Sequence, residues 1–193
     1  TNRSSFPPTR PVNVREVQVR DLDGDGNDDL LVISTPTRVG EAASEWGVYV
    51  FFDVAARADL STSDLFIATQ PIPDGVLVAN VHGTPAPELV VFGQHNDQGV
   101  VEVISFAGRT EQSRQHIEAR FVPRGGVSPD SGAPVGVVAT DVNNDAITDL
   151  ILYDLTNIDV RVVEDWTPSG LPRSDWLGVW TDTPWLAIVR VIP

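Results

Sequence analysis

The sequence predicts an all-β chain of three four-stranded antiparallel units of about 60 residues, the size of β-propeller blades, followed by the start of a fourth. Three observations carry this expectation. Short apolar runs rich in β-branched residues recur, with Pro, Gly, Ser and Asp clustered between them. Residues 21–30, Asp-Leu-Asp-Gly-Asp-Gly-Asn-Asp-Asp-Leu, return at 141–150 as Asp-Val-Asn-Asn-Asp-Ala-Ile-Thr-Asp-Leu. A faded copy, Asn-Val-His-Gly-Thr-Pro-Ala-Pro-Glu-Leu, lies at 80–89, so the copies start 59 and then 61 residues apart. Regular spacing of this kind marks stacked structural units, and four short strands per unit suit a propeller blade better than a helical solenoid.

The strands follow in order. Residues 12–19 alternate apolar and polar side chains, the period of a half-buried strand. Residues 30–33 form a short apolar run, 47–52 a third strand and 65–68 a fourth, which makes a first blade of about 12–70. The second blade, about 75–121, takes its strands from 76–79, 89–92, 99–104 and 115–121. The third, about 135–180, takes them from 135–139, 150–153, 158–163 and 175–180. Residues 184–193 read as one extra strand, the first of a fourth unit. Residues 40–46 and 54–60 have some helical propensity but are too short to count as helices. The whole of 1–193 is read as one domain or a fragment of one.

The loop at 21–30 carries the most chemistry. Five acidic side chains within nine residues repel one another, and two glycines loosen the backbone. A hard divalent ion reverses both penalties, since calcium takes six to eight oxygens at short range. Asp21, Asp23, Asp25 and Asp29 would supply side-chain oxygens and Asn27 a backbone carbonyl. An EF-hand is excluded, because its loop needs flanking helices and a Glu at the twelfth position, which here is Val32. The alternative is an acidic surface turn that holds no metal.

Charge and composition narrow the classes. The net charge of −14 argues against nucleic acid and against anionic membrane surfaces. Two bound Ca²⁺ would bring −14 to −10, so metal offsets part of the excess. With no Cys there is neither a disulfide framework nor thiolate chemistry. All 13 basic residues are Arg, from which nothing functional follows. No apolar run reaches membrane-spanning length, so membrane insertion is not expected. The chain shows no signal peptide, which leaves a mature, excised or cytoplasmic protein open. The Asn2-Arg3-Ser4 triplet is a glycosylation sequon, but one copy near a terminus is weak evidence.

A strand, then Asp-x-Asp-Gly-Asp-Gly-x-x-Asp-Leu, a second strand and Gly47-Val-Tyr-Val-Phe together resemble the FG-GAP or VCBS repeat. That repeat builds the propellers of integrin α-subunits and of many bacterial secreted proteins. The likeness covers nearly the whole chain as three blades, strongest in the first and poorest in the second. The resemblance implies that the loop between the first two strands of a blade binds Ca²⁺. It carries over Asp21, Asp23, Asp25, Asn27 through its carbonyl, and Asp29 as one ligand set. Asp141, Asn143, Asp145, Ile147 through its carbonyl, and Asp149 form the other. The middle loop departs from the pattern, with Asn80, His82, Thr84 and Glu88 at the ligand positions and Pro85 and Pro87 between them. It is expected to bind no calcium and to keep its shape by proline stiffness. The first site is expected to be tighter than the third, which has one carboxylate fewer and Ala146 where the first has Gly26.

Other candidate sites are plainer. Trp166, Trp176, Trp180 and Trp185 lie close together in sequence, with Trp46 apart; they read as packing between blades or as a stacking platform for sugar rings. His82, His95 and His116 show no second ligand at metal spacing and read as structural or surface residues. Arg109, Arg114, Arg120 and Arg124 form a basic patch that reads as a counterweight to the acidic loops. No Gly-x-Ser-x-Gly elbow and no phosphate-cradling glycine loop is present.

These readings converge on a non-catalytic, calcium-binding propeller module for adhesion or for binding a protein or glycan through one loop face, extracellular or at the cell surface and bacterial. A self-assembling filament or surface subunit, a polysaccharide-active enzyme scaffold and a lectin are the alternatives. Three blades do not close a ring, so the chain is expected to be part of a larger propeller, or to be completed by a homo-oligomer or by strand exchange through 184–193.

Overall fold

Antiparallel pairing dominates the chain. The computed structural model describes residues 4–5, 12–36, 46–95, 98–119, 135–141, 144, 146–154, 159–164 and 173–177. Among them run fourteen strands: β1 (Ser4–Ser5), β2 (Val12–Arg20), β3 (Asp29–Pro36), β4 (Gly47–Phe51), β5 (Thr62–Ser63), β6 (Leu65–Ala68), β7 (Ile72–Ala79), β8 (Glu88–His95), β9 (Gln98–Ala107), β10 (Thr110–Ala119), β11 (Val135–Thr140), β12 (Asp149–Asp154), β13 (Asp159–Glu164) and β14 (Arg173–Leu177). The one helical piece among the described residues is a 3₁₀ turn at Val54–Ala56, where some helical propensity was expected over 54–60.

Three four-stranded sheets result, ordered β2-β3-β4-β6, β7-β8-β9-β10 and β11-β12-β13-β14, all antiparallel. The short β1 pairs with β5 beside the first sheet. The expected strands are found, some longer than their apolar runs. β9 extends to Ala107 and β10 starts at Thr110, so the hairpin between them stands higher than the sequence pattern implied. The segment 184–193, residues 120–121 of the second unit's expected fourth strand, and residues 158 and 178–180 of the third unit's expected strands lie outside the described residues.

The core lies between consecutive sheets. Alternation along each strand sends one set of side chains to each face. From the first sheet Leu31, Ile33, Val48, Val50 and Ile67 pack against Val76, Leu89, Val91 and Ile104 of the second. From the opposite face of the second sheet Val90, Val101 and Val103 pack against Val137, Leu150 and Leu152 of the third. The second sheet is therefore buried on both faces. That is why residues 89–92 read as an unbroken apolar run, and 99–104 as one interrupted by Glu102, and not as alternating ones. Arg15 ties the first strands of two sheets together, bonding the Asp74 carbonyl through Nε at 2.9 Å and its carboxylate through Nη2 at 3.0 Å. Among the described residues no helix is long and apolar enough to cross a membrane.

Candidate metal centre

The three related loops sit between the first and second strands of the three sheets, at one end of the stack. A Cβ on Gly24 would lie 3.3 Å from Ala86 Cα, and one on Gly83 would lie 3.3 Å from the Ile147 side chain. The fourth position of each loop thus touches the seventh position of the next. The Thr148 N–H adds a bond to the Asn80 carbonyl at 2.9 Å. Pro87 stands at the matching place in the middle loop and has no N–H to give the first loop.

In the first loop, the Asp21 carboxylate accepts the backbone N–H of Gly24 at 2.8 Å and of Gly26 at 2.9 Å. Asp141 repeats this in the third loop with the N–H groups of Asn144 at 2.6 Å and Ala146 at 2.9 Å. Both loops turn through left-handed backbone at these positions, with φ of 75° and 87° at Gly24 and Gly26, and 64° and 70° at Asn144 and Ala146. Ala146 therefore carries the positive φ expected of it.

The ninth-position carboxylate is sunk in every loop: Asp29 is 0% exposed, Glu88 2% and Asp149 1%. Asp29 accepts the N–H of Leu22 at 2.8 Å and of Asp53 at 3.0 Å, which pins the loop to the exit of β4. One carboxylate oxygen from each of Asp21, Asp23 and Asp29 lies within 4.8 Å of the others, so this trio could hold a metal ion. Burial raises the Asp29 pKa, the two N–H donors oppose this, and the charges of Asp23 and Asp21 raise it further.

Asp25, also expected as a ligand, is not one of this trio. Asp25 accepts the Asn27 N–H at 2.8 Å, and this bond, helped by Arg109, holds its pKa below the usual carboxylate value. Arg109 rises from the β9–β10 turn of the neighbouring sheet. Its Nε donates to Asp23 at 2.8 Å and its Nη2 to Asp25 at 3.1 Å, with a third contact to Asp53. The guanidinium also lies 5.0 Å above the Phe52 ring. These carboxylates raise the Arg109 pKa, so the group is a permanent cation. Arg109 is thus a counterweight to the acidic loop. Arg114 is not: it bonds Glu111, approaches Glu102 and caps the Ala68 carbonyl. Arg120 and Arg124 lie outside the described residues.

In the third loop Asp141 and Asp149 occupy the corresponding places and Ile147 packs on Gly83, while Asn143 and Asp145 lie outside the described residues. The middle loop, expected to be stiffened by its prolines, is also tied together by Glu88. Glu88 accepts the N–H of Val81 at 2.9 Å and of His82 at 3.3 Å, and bonds the Thr84 hydroxyl at 3.1 Å. His82 Nδ1 lies 3.2 Å from Glu88 and 3.1 Å from the Ser105 hydroxyl. An imidazole thus sits in the loop's third position, where the first loop has Asp23. Glu88, six residues along at the ninth position, is its partner. Of the tryptophans, Trp46 is buried beside β4, only the backbone of Trp176 is described, and Trp166, Trp180 and Trp185 lie outside the described residues.

Compared with known families and with curated proteins, the sequence matches no family model and no curated protein.

Proposed function

We propose that this chain is a calcium-stabilised module of β-propeller blades that works by binding, presenting its loop end to a protein or glycan partner outside the cell or at its surface. The observation that carries the reading is the convergence of Asp21, Asp23 and Asp29 within 4.8 Å. Three hard oxygen donors, one of them buried and held by backbone N–H groups, suit calcium far better than a soft metal. The matching backbone turns and bonds of Asp21 and Asp141 support a second site of the same build in the third loop. In the middle loop Glu88 is taken up by the Val81 and His82 N–H groups, the Thr84 hydroxyl and the His82 ring, and the donor set does not fit calcium.

Calcium here acts on stability. An ion held by the folded state alone shifts the folding equilibrium by mass action. It also relieves the repulsion among carboxylates that sequence places at alternate positions. The loops stack side by side, which offers a continuous surface for a partner, and recognition commonly sits on loops held by a rigid scaffold.

The test is titration calorimetry with Ca²⁺ and Mg²⁺ on metal-free protein, alongside thermal unfolding in chelator and in calcium. Saturable calcium binding, a higher Tm in calcium and weakened binding in Asp21→Asn are expected. Equal melting in chelator and in calcium, with no binding heat, would overturn the reading.

A further inference from the structure

On β2 the valines 14, 17 and 19 are exposed, at 51%, 54% and 43%. Register sets Val17 opposite Val32 and Val19 opposite Leu30. The corresponding pairs in the second sheet are Val76 with Val91 and Val78 with Leu89. In the third sheet they are Val137 with Leu152 and Ala139 with Leu150. There the row is covered. Val76 is 2% exposed and packs against the first sheet, and Val137 is 6% exposed and packs against the second. The same row is therefore covered twice by the preceding sheet, and among the described residues the first sheet has no preceding sheet. Farther out on this face Tyr49 and Phe51 are already closed over, with the Arg57 guanidinium 5.4 Å above the Phe51 ring. The opening is confined to the row along β2.

The other end of the stack shows the counterpart. Val138 on β11 pairs with Ile151 and is 42% exposed. The corresponding residues of the second sheet, Leu77 and Val90, pack into the cluster shared with the third sheet. The two ends thus display the two halves of a contact that the molecule makes twice within itself.

We propose that the Val14–Val17–Val19 row docks on the Val138–Ile151 face of a second copy of this chain. The inference goes beyond the calcium reading and rests on sheet register alone. Each internal contact joins this row to the far face of the sheet before it, and among the described residues the far face left over is that of the third sheet. The contact joins unlike faces, so it is heterologous, and two copies related by a two-fold rotation make it twice. The product is a ring of six sheets, within the range at which propellers close.

Sedimentation velocity, run in chelator and again in calcium, tests this. The native chain should sediment as a species of twice 20.9 kDa in both conditions. Val17→Asp and Val138→Asp, both at exposed positions, should each give a monomer with an unchanged far-ultraviolet spectrum and cooperative melting. Val17→Thr, nearly the same shape, should weaken the dimer about tenfold or more and covers the case in which the aspartate variant misfolds. Mixing the two aspartate variants should restore dimer, because one of the two contacts is then unaltered. A native chain that stays monomeric at all concentrations, or dimers that survive both substitutions, would overturn the proposal.

Discussion

Arg109 Nε lies 2.8 Å from Asp23 Oδ2 although 86 residues separate them in the chain. The bond joins the β9–β10 turn of one sheet to the acidic loop of another, and the same guanidinium reaches Asp25 and Asp53. A fixed positive charge thus stands beside the carboxylates proposed to hold calcium. It lowers the repulsion in the metal-free loop and opposes a second cation there.

Arg109→Gln should therefore bind calcium several-fold more tightly than the native chain, since removing a nearby positive charge favours a cation. In chelator the same change should destabilise by about 1 kcal/mol, a modest figure because Arg109 is 46% exposed and solvent screens it. The deficit should shrink in calcium. Titration calorimetry and urea unfolding with and without chelator read both effects; weaker calcium binding in the variant would contradict the competition.

The two acidic loops should differ in affinity. The first offers Asp21, Asp23, Asp25 and Asp29, and the third has Asn143 at its third position. Asp21→Ala should remove the tighter phase of a calcium titration and Asp141→Ala the weaker one. A first phase no tighter than the second would contradict the charge argument.

Backbone strain gives a paired experiment. Ala146 holds φ of 70° and Gly26 holds 87° at the same loop position. Ala146→Gly should raise stability by about 1 kcal/mol, and Gly26→Ala should lower it by about as much. A Cβ on Gly26 would meet nothing within 4 Å, so that cost is conformational and not a clash. Melting curves of both variants test the sign.

Glu88 gathers the bonds of the middle loop. Glu88→Ala leaves the Val81 and His82 backbone N–H groups without their buried acceptor, which should cost about 3 kcal/mol. Calcium stoichiometry should not change. A loss of one calcium equivalent would mean that this loop also takes metal.

Asp74 makes a pH test away from the loops. Burial raises its pKa above the ordinary 3.8, and Arg15 only partly opposes this. A carboxyl whose folded pKa exceeds its unfolded one binds more protons in the folded state, so its contribution falls as pH rises through the window between the two values. The contribution is most favourable below 3.8 and least favourable above the raised value. Asp74→Asn should flatten that part of the stability–pH curve, and Arg15→Ala should widen the window. Urea midpoints measured across mildly acid pH would show it; an unchanged slope in Asp74→Asn would refute the assignment.

Local pattern alone determined the strands and the loops. Period-two alternation at 12–19, the apolar runs at 89–92 and 99–104, and the alternate carboxylates of 21–29 are short-range features, and backbone geometry within ten residues settles what they become. The positive φ of Ala146 was legible for the same reason: the first loop, of like spacing, has Gly26 there. What meets across sheets was decided only by the tertiary structure. Arg109 on Asp23 and the covering of Val76 but not Val17 depend on how one sheet is set against the next. That setting is fixed by long-range packing of both faces of the second sheet, which no stretch of adjacent residues encodes.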